Sequence, residues 1–74
     1  MNWVSVFAKN VVQRRRLMGL SQEELSHHVG VDVRYLGGIE RAQRNPSLKV
    51  ITSIAVALET TPTVLLTSVE HETA

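Results

Sequence analysis

The stretch GLSQEELSHHVGVDVRYLGGIERAQRNPS, residues 19–47, contains two short helical patterns separated by about three residues. Ser21 and Glu24 have the spacing of a capping box, in which each side chain accepts a hydrogen bond from the backbone amide of the other residue. They predict a helix over about 22–29. A second apolar pattern predicts another helix over about 33–41, so the stretch is expected to form two helices joined by a tight turn.

The turn and the second helix carry signals of their own. Gly30 is expected to end the first of the two helices, because glycine adopts a left-handed backbone at little cost, and Asp32 is expected to cap the second. Leu36 and Ile39 are three residues apart, which places both on one face of the second helix. That face is expected to be buried.

Two adjacent glycines, Gly37 and Gly38, fall in the middle of the second helix, where each costs about 1 kcal/mol relative to alanine. On a helical wheel they share the face opposite the apolar residues with Arg34 and Arg41. Bare backbone on that face could closely approach base edges in a DNA major groove, which is about 12 Å wide. Alternatively, the glycines simply end the helix early.

The rest of the chain is also predicted to be helical. Helices are expected over about 3–18 and 47–58, and Thr61 followed by Pro62 is typical of the start of a last helix. No segment alternates with the period of a half-buried strand. Residues 1–74 are therefore interpreted as one all-α domain of five helices.

The composition excludes several classes of protein. The chain has 74 residues and no cysteine, so disulfides and thiolate metal sites are ruled out. No signal peptide is evident, and the most apolar run, VITSIAVAL, is far shorter than the ~20 residues of a membrane span. A soluble, cytoplasmic protein is expected. Residues 1–49 hold all eight Lys and Arg against four acids, a net +4, whereas residues 50–74 hold three acids, a net −3. The first part is thus suited to an anionic partner, unless this asymmetry is chance.

The quoted stretch resembles the helix-turn-helix of Cro/cI-type (XRE-like) DNA-binding proteins, and the similarity runs from about Phe7 to Leu66. Within that family, RYLGGIERAQRNPSL at residues 34–48 is most similar to the controller proteins of restriction-modification systems. These are small dimeric regulators that bind operators beside their own gene and the endonuclease gene. The resemblance implies a five-helix, lambda-repressor-like domain with the helix-turn-helix at about 22–41 and a dimerisation region at about 48–70.

The chain departs from the family pattern at three positions. Ala42 stands where relatives often have glycine, Gly37 stands where a polar residue is common, and Val33 occupies a position that often reads bases. The operator sequence therefore cannot be transferred from a relative.

Several residues are predicted to contact DNA. Arg34 is the first candidate for reading a base, because its guanidinium can donate two hydrogen bonds to guanine, although a phosphate contact is the alternative. Val33 could contact a thymine methyl group, and Tyr35 could present its hydroxyl. Arg44 matches a position that approaches DNA in controller proteins, and it could contact a base or a phosphate. The residues assigned to phosphates are Gln22, Arg41, Gln43, Asn45 and Ser47.

Two charged residues are predicted to have a structural role. Arg15 lies on the apolar face of the first helix and Glu40 at the inner edge of the third, and the family resemblance implies that they pair as a salt bridge. Arg14 and Arg16 are interpreted as a solvated basic surface.

Dimerisation is expected because one recognition helix covers only a few base pairs of an operator. The predicted interface consists of Val50, Ile54, Ala57, Val64, Leu65 and Val69. Alternatively, these residues fill the core of the monomer. Trp3 belongs either to the core or to the dimer contact.

The sequence gives little support for catalysis, and no enzyme activity, cofactor or metal is predicted. His27 and His28 are adjacent, so they diverge on a helix and cannot form the i, i+4 pair of a metal site. The predicted function is that of a sequence-specific DNA-binding transcriptional regulator, a homodimeric controller of a restriction-modification system that acts on its own promoter. Glu23 or Glu24 could contact RNA polymerase. The alternatives are a phage- or plasmid-type repressor and an antitoxin-like adaptor that binds a protein.

Overall fold

The protein is described by a computed structural model that covers residues 2–68. This part of the chain forms five helices and contains no strand, so the predicted all-α class is confirmed. The helices are α1 (Trp3–Leu17), α2 (Gln22–Val29), α3 (Val33–Glu40), α4 (Leu48–Ala57) and α5 (Pro62–Leu65). Their bounds agree closely with those predicted from capping residues and apolar spacing. None of these helices is long and apolar enough to cross a membrane.

Every helix begins at a side chain that accepts a hydrogen bond from one of its first backbone amides. The capping residues are Asn2, Ser21, Asp32, Ser47 and Thr61. The capping box of α2 is complete: the Glu24 amide donates to Ser21 Oγ at 3.0 Å, and the Ser21 amide donates to Glu24 Oε1 at 2.8 Å. These contacts satisfy amides that the first turn of a helix leaves without a partner, which is why the helices begin at these residues.

Helix α2 ends directly at Gly30, which has positive φ, and three other helices have a residue at positive φ two positions beyond their last residue. That residue is Gly19 after α1, Ala42 after α3 and Glu59 after α4, with φ of 71°, 60° and 58°. After α3, the Gln43 amide donates to the Gly38 carbonyl at 2.8 Å and the Ala42 amide to the Ile39 carbonyl at 3.0 Å. This is the Schellman arrangement, in which glycine is the favoured residue at positive φ. Ala42 therefore carries backbone strain that a glycine would not.

The core lies where the five helices meet. α1 packs against α3 and α5, α2 packs against α3 and α4, and α4 packs against α5. Each contributes apolar side chains to one cluster, which contains Phe7, Val11, Leu25, Leu36, Ile39, Ile51, Ile54, Ala55, Leu58 and Leu65. This arrangement buries α2 and α3 on one side only and leaves their other side free for a partner.

The assignment of Ile54 and Leu65 to a dimer interface is wrong. Ile54 is 0% exposed and Leu65 is 1% exposed, both inside the core cluster. A side chain without exposed surface cannot contact a second copy, so the alternative of a monomer core applies to these two residues. Val69 lies outside the described residues.

Helix α1 also holds the C-terminal ends of α4 and α5. Asn10 donates from Nδ2 to the carbonyls of Leu65 and Thr67 at 2.8 and 2.9 Å. One turn further along, Arg14 donates to the carbonyls of Leu58 and Glu59 at 2.9 and 3.0 Å. Arg14 is thus not part of a solvated basic surface as interpreted from the sequence, because its guanidinium caps carbonyls that the end of α4 leaves free.

Candidate nucleic-acid interface

The α2–α3 pair is joined by a three-residue turn of fixed shape, residues 30–32. Gly30 has φ 85° and ψ 31°, and its amide donates to the Ser26 carbonyl at 2.8 Å. The next amide, that of Val31, donates to the same carbonyl at 3.1 Å. Asp32 then accepts from the Arg34 amide at 2.7 Å and begins α3. The left-handed Gly30 therefore sets the angle at which α3 leaves α2.

Helix α3 has a buried side and an exposed side. Leu36 and Ile39 are 0% and 1% exposed and belong to the core. On the other side, the Arg34 side chain is 92% exposed, and its Nε lies 3.8 Å from the exposed Asp32 carboxylate. An ion pair this long and exposed holds an arginine only weakly, so Arg34 is available to a ligand.

The glycine pair lies within α3, and it does not end the helix. α3 continues to Glu40, and the Gly37 carbonyl accepts from the Arg41 amide at 3.0 Å. A Cβ on Gly37 would meet the Arg41 guanidinium, and a Cβ on Gly38 would meet the side chain of Arg44. Both glycines therefore face away from the core, but the two arginine side chains cover them in the free protein.

Arg44 crosses the surface of α3. Its guanidinium carbon lies 5.8 Å from the centroid of the Tyr35 ring, within the range of a cation–π contact. Tyr35 is half-buried and packs its ring against the core cluster. Tyr35 thus supports the Arg44 side chain from beneath, a role that was not predicted from the sequence.

An open groove runs along the exposed side of α3, between α3 and the first residue of α2. Most of the residues predicted to contact DNA come together here, and Arg44 and Gln43 form one of its edges. The groove is lined by Gln22, Val33, Arg34, Gly37, Gly38, Arg41, Gln43 and Arg44. Asn45 and Ser47 are exposed in the segment that follows, where Ser47 caps α4. Arg41 Nε donates to Gln43 Oε1 at 3.2 Å, so these two side chains form one polar unit.

Arg15, Glu40 and Gln22 form a hydrogen-bonded network beneath the groove. Arg15 donates to both carboxylate oxygens of Glu40, at 2.7 and 3.0 Å, and to the Leu20 carbonyl at 2.8 Å. Gln22 Nε2 donates to Glu40 Oε1 at 2.8 Å. The Gln22 carboxamide is thereby fixed, and its second N–H can still donate to a phosphate. The link from Glu40 to Gln22 was missed from sequence, since nothing in the local pattern relates residues eighteen positions apart.

Trp3 lies at the start of α1, beside the loop that follows α3. The residue is 44% exposed, and the centroid of its ring lies 6.5 Å from that of Phe7. The indole lines a second open groove together with Gln43, Arg44 and Asn45. Trp3 thus covers one edge of the core next to the candidate interface.

Comparison with known proteins identifies this arrangement of helices. The helix-turn-helix family HTH_3 matches residues 11–65, which include all of α2, the turn and α3. The chain belongs to the helix-turn-helix family. The resemblance to this family that was noted in the sequence is thereby confirmed.

Three relatives of this helix-turn-helix protein are informative. Control protein C.SmaI from Serratia marcescens is 39% identical over 62 residues, which cover 84% of this chain and 74% of C.SmaI. The crystal structure of the restriction-modification controller protein C.AhdI from Aeromonas hydrophila has a TM-score of 0.81 and 42% identity, covering 84% of this chain and 94% of C.AhdI. The hypothetical transcription factor NHTF from Neisseria has a TM-score of 0.90 and 32% identity, covering 97% and 83% of the two chains.

Exposed apolar side chains in the C-terminal region of this helix-turn-helix protein differ from the predicted set. Val64 is 56% exposed, whereas Val50 and Ala57 are half-buried against the core. Val56 and Leu66 were not predicted, and they are 71% and 38% exposed. Val56 was not predicted because it does not share the helical spacing of Val50, Ile54 and Ala57, the interface residues predicted on α4.

The histidines of α2 show no arrangement for metal binding. His27 and His28 are both exposed, with ring centroids 6.3 Å apart. Across residues 2–68, no group of three or more His, Cys, Asp and Glu residues could hold a metal ion.

Proposed function

We propose that this helix-turn-helix protein is a sequence-specific DNA-binding regulator of transcription that places α3 in the major groove. The observation that carries the proposal is the division of α3 into two sides. One side is buried in the core through Leu36 and Ile39, and the other has arginines around an open groove. Glu40 is the one acid within α3, and its charge is matched by Arg15, so the outer side of the helix is cationic. A cationic ridge of this kind suits the phosphates and base edges of duplex DNA.

We propose a role for each groove residue from its position and its exposure. Arg34 is almost fully exposed at the start of α3, and we assign it to a base edge. Beside it, Val33 could contact a thymine methyl group and Tyr35 could present its hydroxyl to a base. The residues proposed for phosphates are Gln22, Arg41, Gln43, Asn45 and Ser47. Only the guanidinium end of the Arg41 side chain covers Gly37, so this side chain can move aside. The backbone of α3 could then approach DNA closely at Gly37, as proposed.

We further propose that the protein acts as a homodimer. Two copies of α3 about 34 Å apart would reach successive major grooves on one face of DNA. Val64 lies within the proposed region and is exposed, and Leu66, which follows the last residue of α5, is exposed as well. Burial of such side chains against a second copy would compensate for the small core of a chain of 74 residues. Val50 and Ala57 would contribute only their exposed edges.

The names of two relatives support a proposal about the genes that this protein regulates. C.SmaI is a control protein and C.AhdI is a restriction-modification controller, and both share about two fifths of their residues with this chain where they align, at 39% and 42% identity. We propose that this protein likewise controls a restriction-modification system through its own promoter. Exposed Glu23, on α2, is a candidate contact for RNA polymerase. This role needs no cofactor and no catalytic activity.

Footprinting on the DNA upstream of its own gene tests the proposal. The expected result is protection of two half-sites one helical turn apart, with binding that weakens steeply as salt rises, because each neutralised phosphate adds about 0.9 to the log–log slope. An adaptor would bind a protein partner and show no protection.

A further inference from the structure

Gly38 and Arg44 fit together closely. A Cβ placed on Gly38 would lie 2.7 Å from Cγ of Arg44, and 3.6 and 3.7 Å from its Nε and Cδ. Real Cβ atoms essentially never approach another heavy atom to 2.7 Å, so the Arg44 side chain can occupy this place only because residue 38 has no side chain.

The same side chain contacts α3 at a second point. Its guanidinium lies over the Tyr35 ring, 5.8 Å from the ring centroid. Tyr35 and Gly38 are three residues apart and are therefore neighbours on the helix surface. Arg44 thus lies along α3 with its aliphatic part on Gly38 and its charged end on Tyr35.

Gly37 and Gly38 are covered by different parts of an arginine side chain. A Cβ on Gly37 would meet Nη1 of Arg41 at 3.1 Å, and Nη1 is the far end of a flexible side chain. That end can swing aside at little cost. Cγ of Arg44 is close to its backbone, so its position is set by χ1 and by the loop after α3, and it cannot yield without a change of rotamer or loop.

We infer that Gly38 is a positioning residue for Arg44: its bare backbone seats the Arg44 side chain so that the guanidinium is held at the edge of the groove, ready to bond a base of the operator. A loop arginine without such a seat would sample many rotamers and would have to be ordered on binding. The inference rests on the proposed function and extends it, since it assigns Gly38 to the orientation of Arg44 rather than to direct contact with DNA.

The test is a double-mutant cycle of Gly38→Ala and Arg44→Ala on a duplex that the wild-type protein selects from a randomised library. We expect each single change to weaken binding roughly tenfold, the order of one lost bidentate base contact. Each change should also relax discrimination at the same base pair. In the Arg44→Ala protein, adding Gly38→Ala should change affinity less than about twofold, because the side chain that it displaces is already gone. Gly37 also lies in the groove, so Gly37→Ala is compared for discrimination only: it displaces Arg41 and not Arg44, and it should leave the preference at that base pair intact whatever its effect on affinity.

Stability gives a second readout that does not depend on DNA. Alanine has a higher helix propensity than glycine, so Gly38→Ala should lower the unfolding midpoint only through the clash with Arg44. The double variant, which also carries Arg44→Ala, should recover the lost stability even if Gly38→Ala alone folds poorly. Equal losses of affinity from Gly38→Ala with and without Arg44 would overturn the inference and would indicate direct approach of the backbone to DNA. A wild-type protein that enriches no duplex would instead refute the proposed function itself, and the inference with it.

Discussion

Arg15 on α1 and Glu40 on α3 meet through both of their forked ends, with Nε–Oε2 and Nη2–Oε1 distances of 2.7 and 3.0 Å. Their side chains are only 11% and 4% exposed. Water can solvate neither charge well at that depth, so each needs the other. Because Glu40 also accepts a hydrogen bond from Gln22, the ion pair links α1 and α3 to the first residue of α2.

Replacing Glu40 by alanine is expected to destabilise the protein by about 3–5 kcal/mol, because the change leaves a nearly buried guanidinium without its partner. Urea denaturation of the wild type and the variant measures the difference. Arg16→Ala removes a neighbouring exposed arginine of α1, and this control should lie within about 0.5 kcal/mol of the wild type. A Glu40→Ala protein with the unfolding midpoint of the wild type would contradict the prediction.

Asn10→Ala is expected to loosen the end of α5. The Asn10 amide group is 55 residues away in sequence from the Leu65 carbonyl that it caps, and that hydrogen bond is buried. Loss of the donor leaves a buried acceptor unsatisfied, at about 1–3 kcal/mol. Amide exchange should accelerate in α5 while α2 stays protected. Gln13→Ala, on the exposed part of the same helix, is the control, and equal exchange in α5 for both variants would show that the contact is dispensable.

Ala42→Gly is expected to stabilise the protein. A left-handed backbone costs an alanine about 1–2 kcal/mol, whereas the greater freedom of glycine in the unfolded chain offsets about 0.4–1 kcal/mol of that gain. A net gain of ~0.5–1 kcal/mol in the free energy of unfolding should follow. Gly19→Ala is the converse experiment, since its φ is 71° and no atom would crowd the new Cβ, so it should lose a similar amount. Shifts of the same sign in both variants would contradict this account.

Helix positions could be predicted from sequence because the signals for them are local. Ser21, Asp32, Ser47 and Thr61 each cap the helix that was predicted to follow them. The apolar spacing of α3 likewise indicated which of its sides is buried. Such signals operate over one or two turns of a helix, so no knowledge of the tertiary structure is needed to use them.

Contacts between distant parts of the chain could not be predicted in this way. An apolar residue such as Ile54 has the same sequence signal whether its own chain or a second copy buries it, which is why its assignment to an interface was wrong. The sequence also placed Gly38 on the outer side of α3 but did not show that Arg44 covers it, because that depends on the path of the loop after the helix.

The pH dependence of stability should include a contribution from Glu24. Its carboxylate accepts a hydrogen bond from the Ser21 backbone amide, and this bond, with that to the Ser21 side chain, lowers the pKa of Glu24 below its usual value. The ionised carboxylate therefore stabilises the folded state above the pKa of an unfolded glutamate, and this stabilisation is lost as the pH falls through the lower folded pKa. The stability difference between the wild type and Glu24→Gln should thus shrink on acidification. Glu23→Gln is the control for the loss of one negative charge. A stability difference between the wild type and Glu24→Gln that grows as the pH falls would contradict a lowered pKa of Glu24.

Arg34→Ala should separate reading of a base from binding of a phosphate. If Arg34 bonds a guanine, the variant should lose about 1–3 kcal/mol on the preferred operator and become tolerant of substitution at one base pair. Arg41→Ala, which removes the proposed phosphate contact on the same side of α3, should instead weaken binding to all duplexes alike and lower the salt slope by about 1. Fluorescence anisotropy with a panel of single-base operator variants at several salt concentrations measures both effects. Uniform weakening by Arg34→Ala, with a lower salt slope, would reassign this arginine to a phosphate.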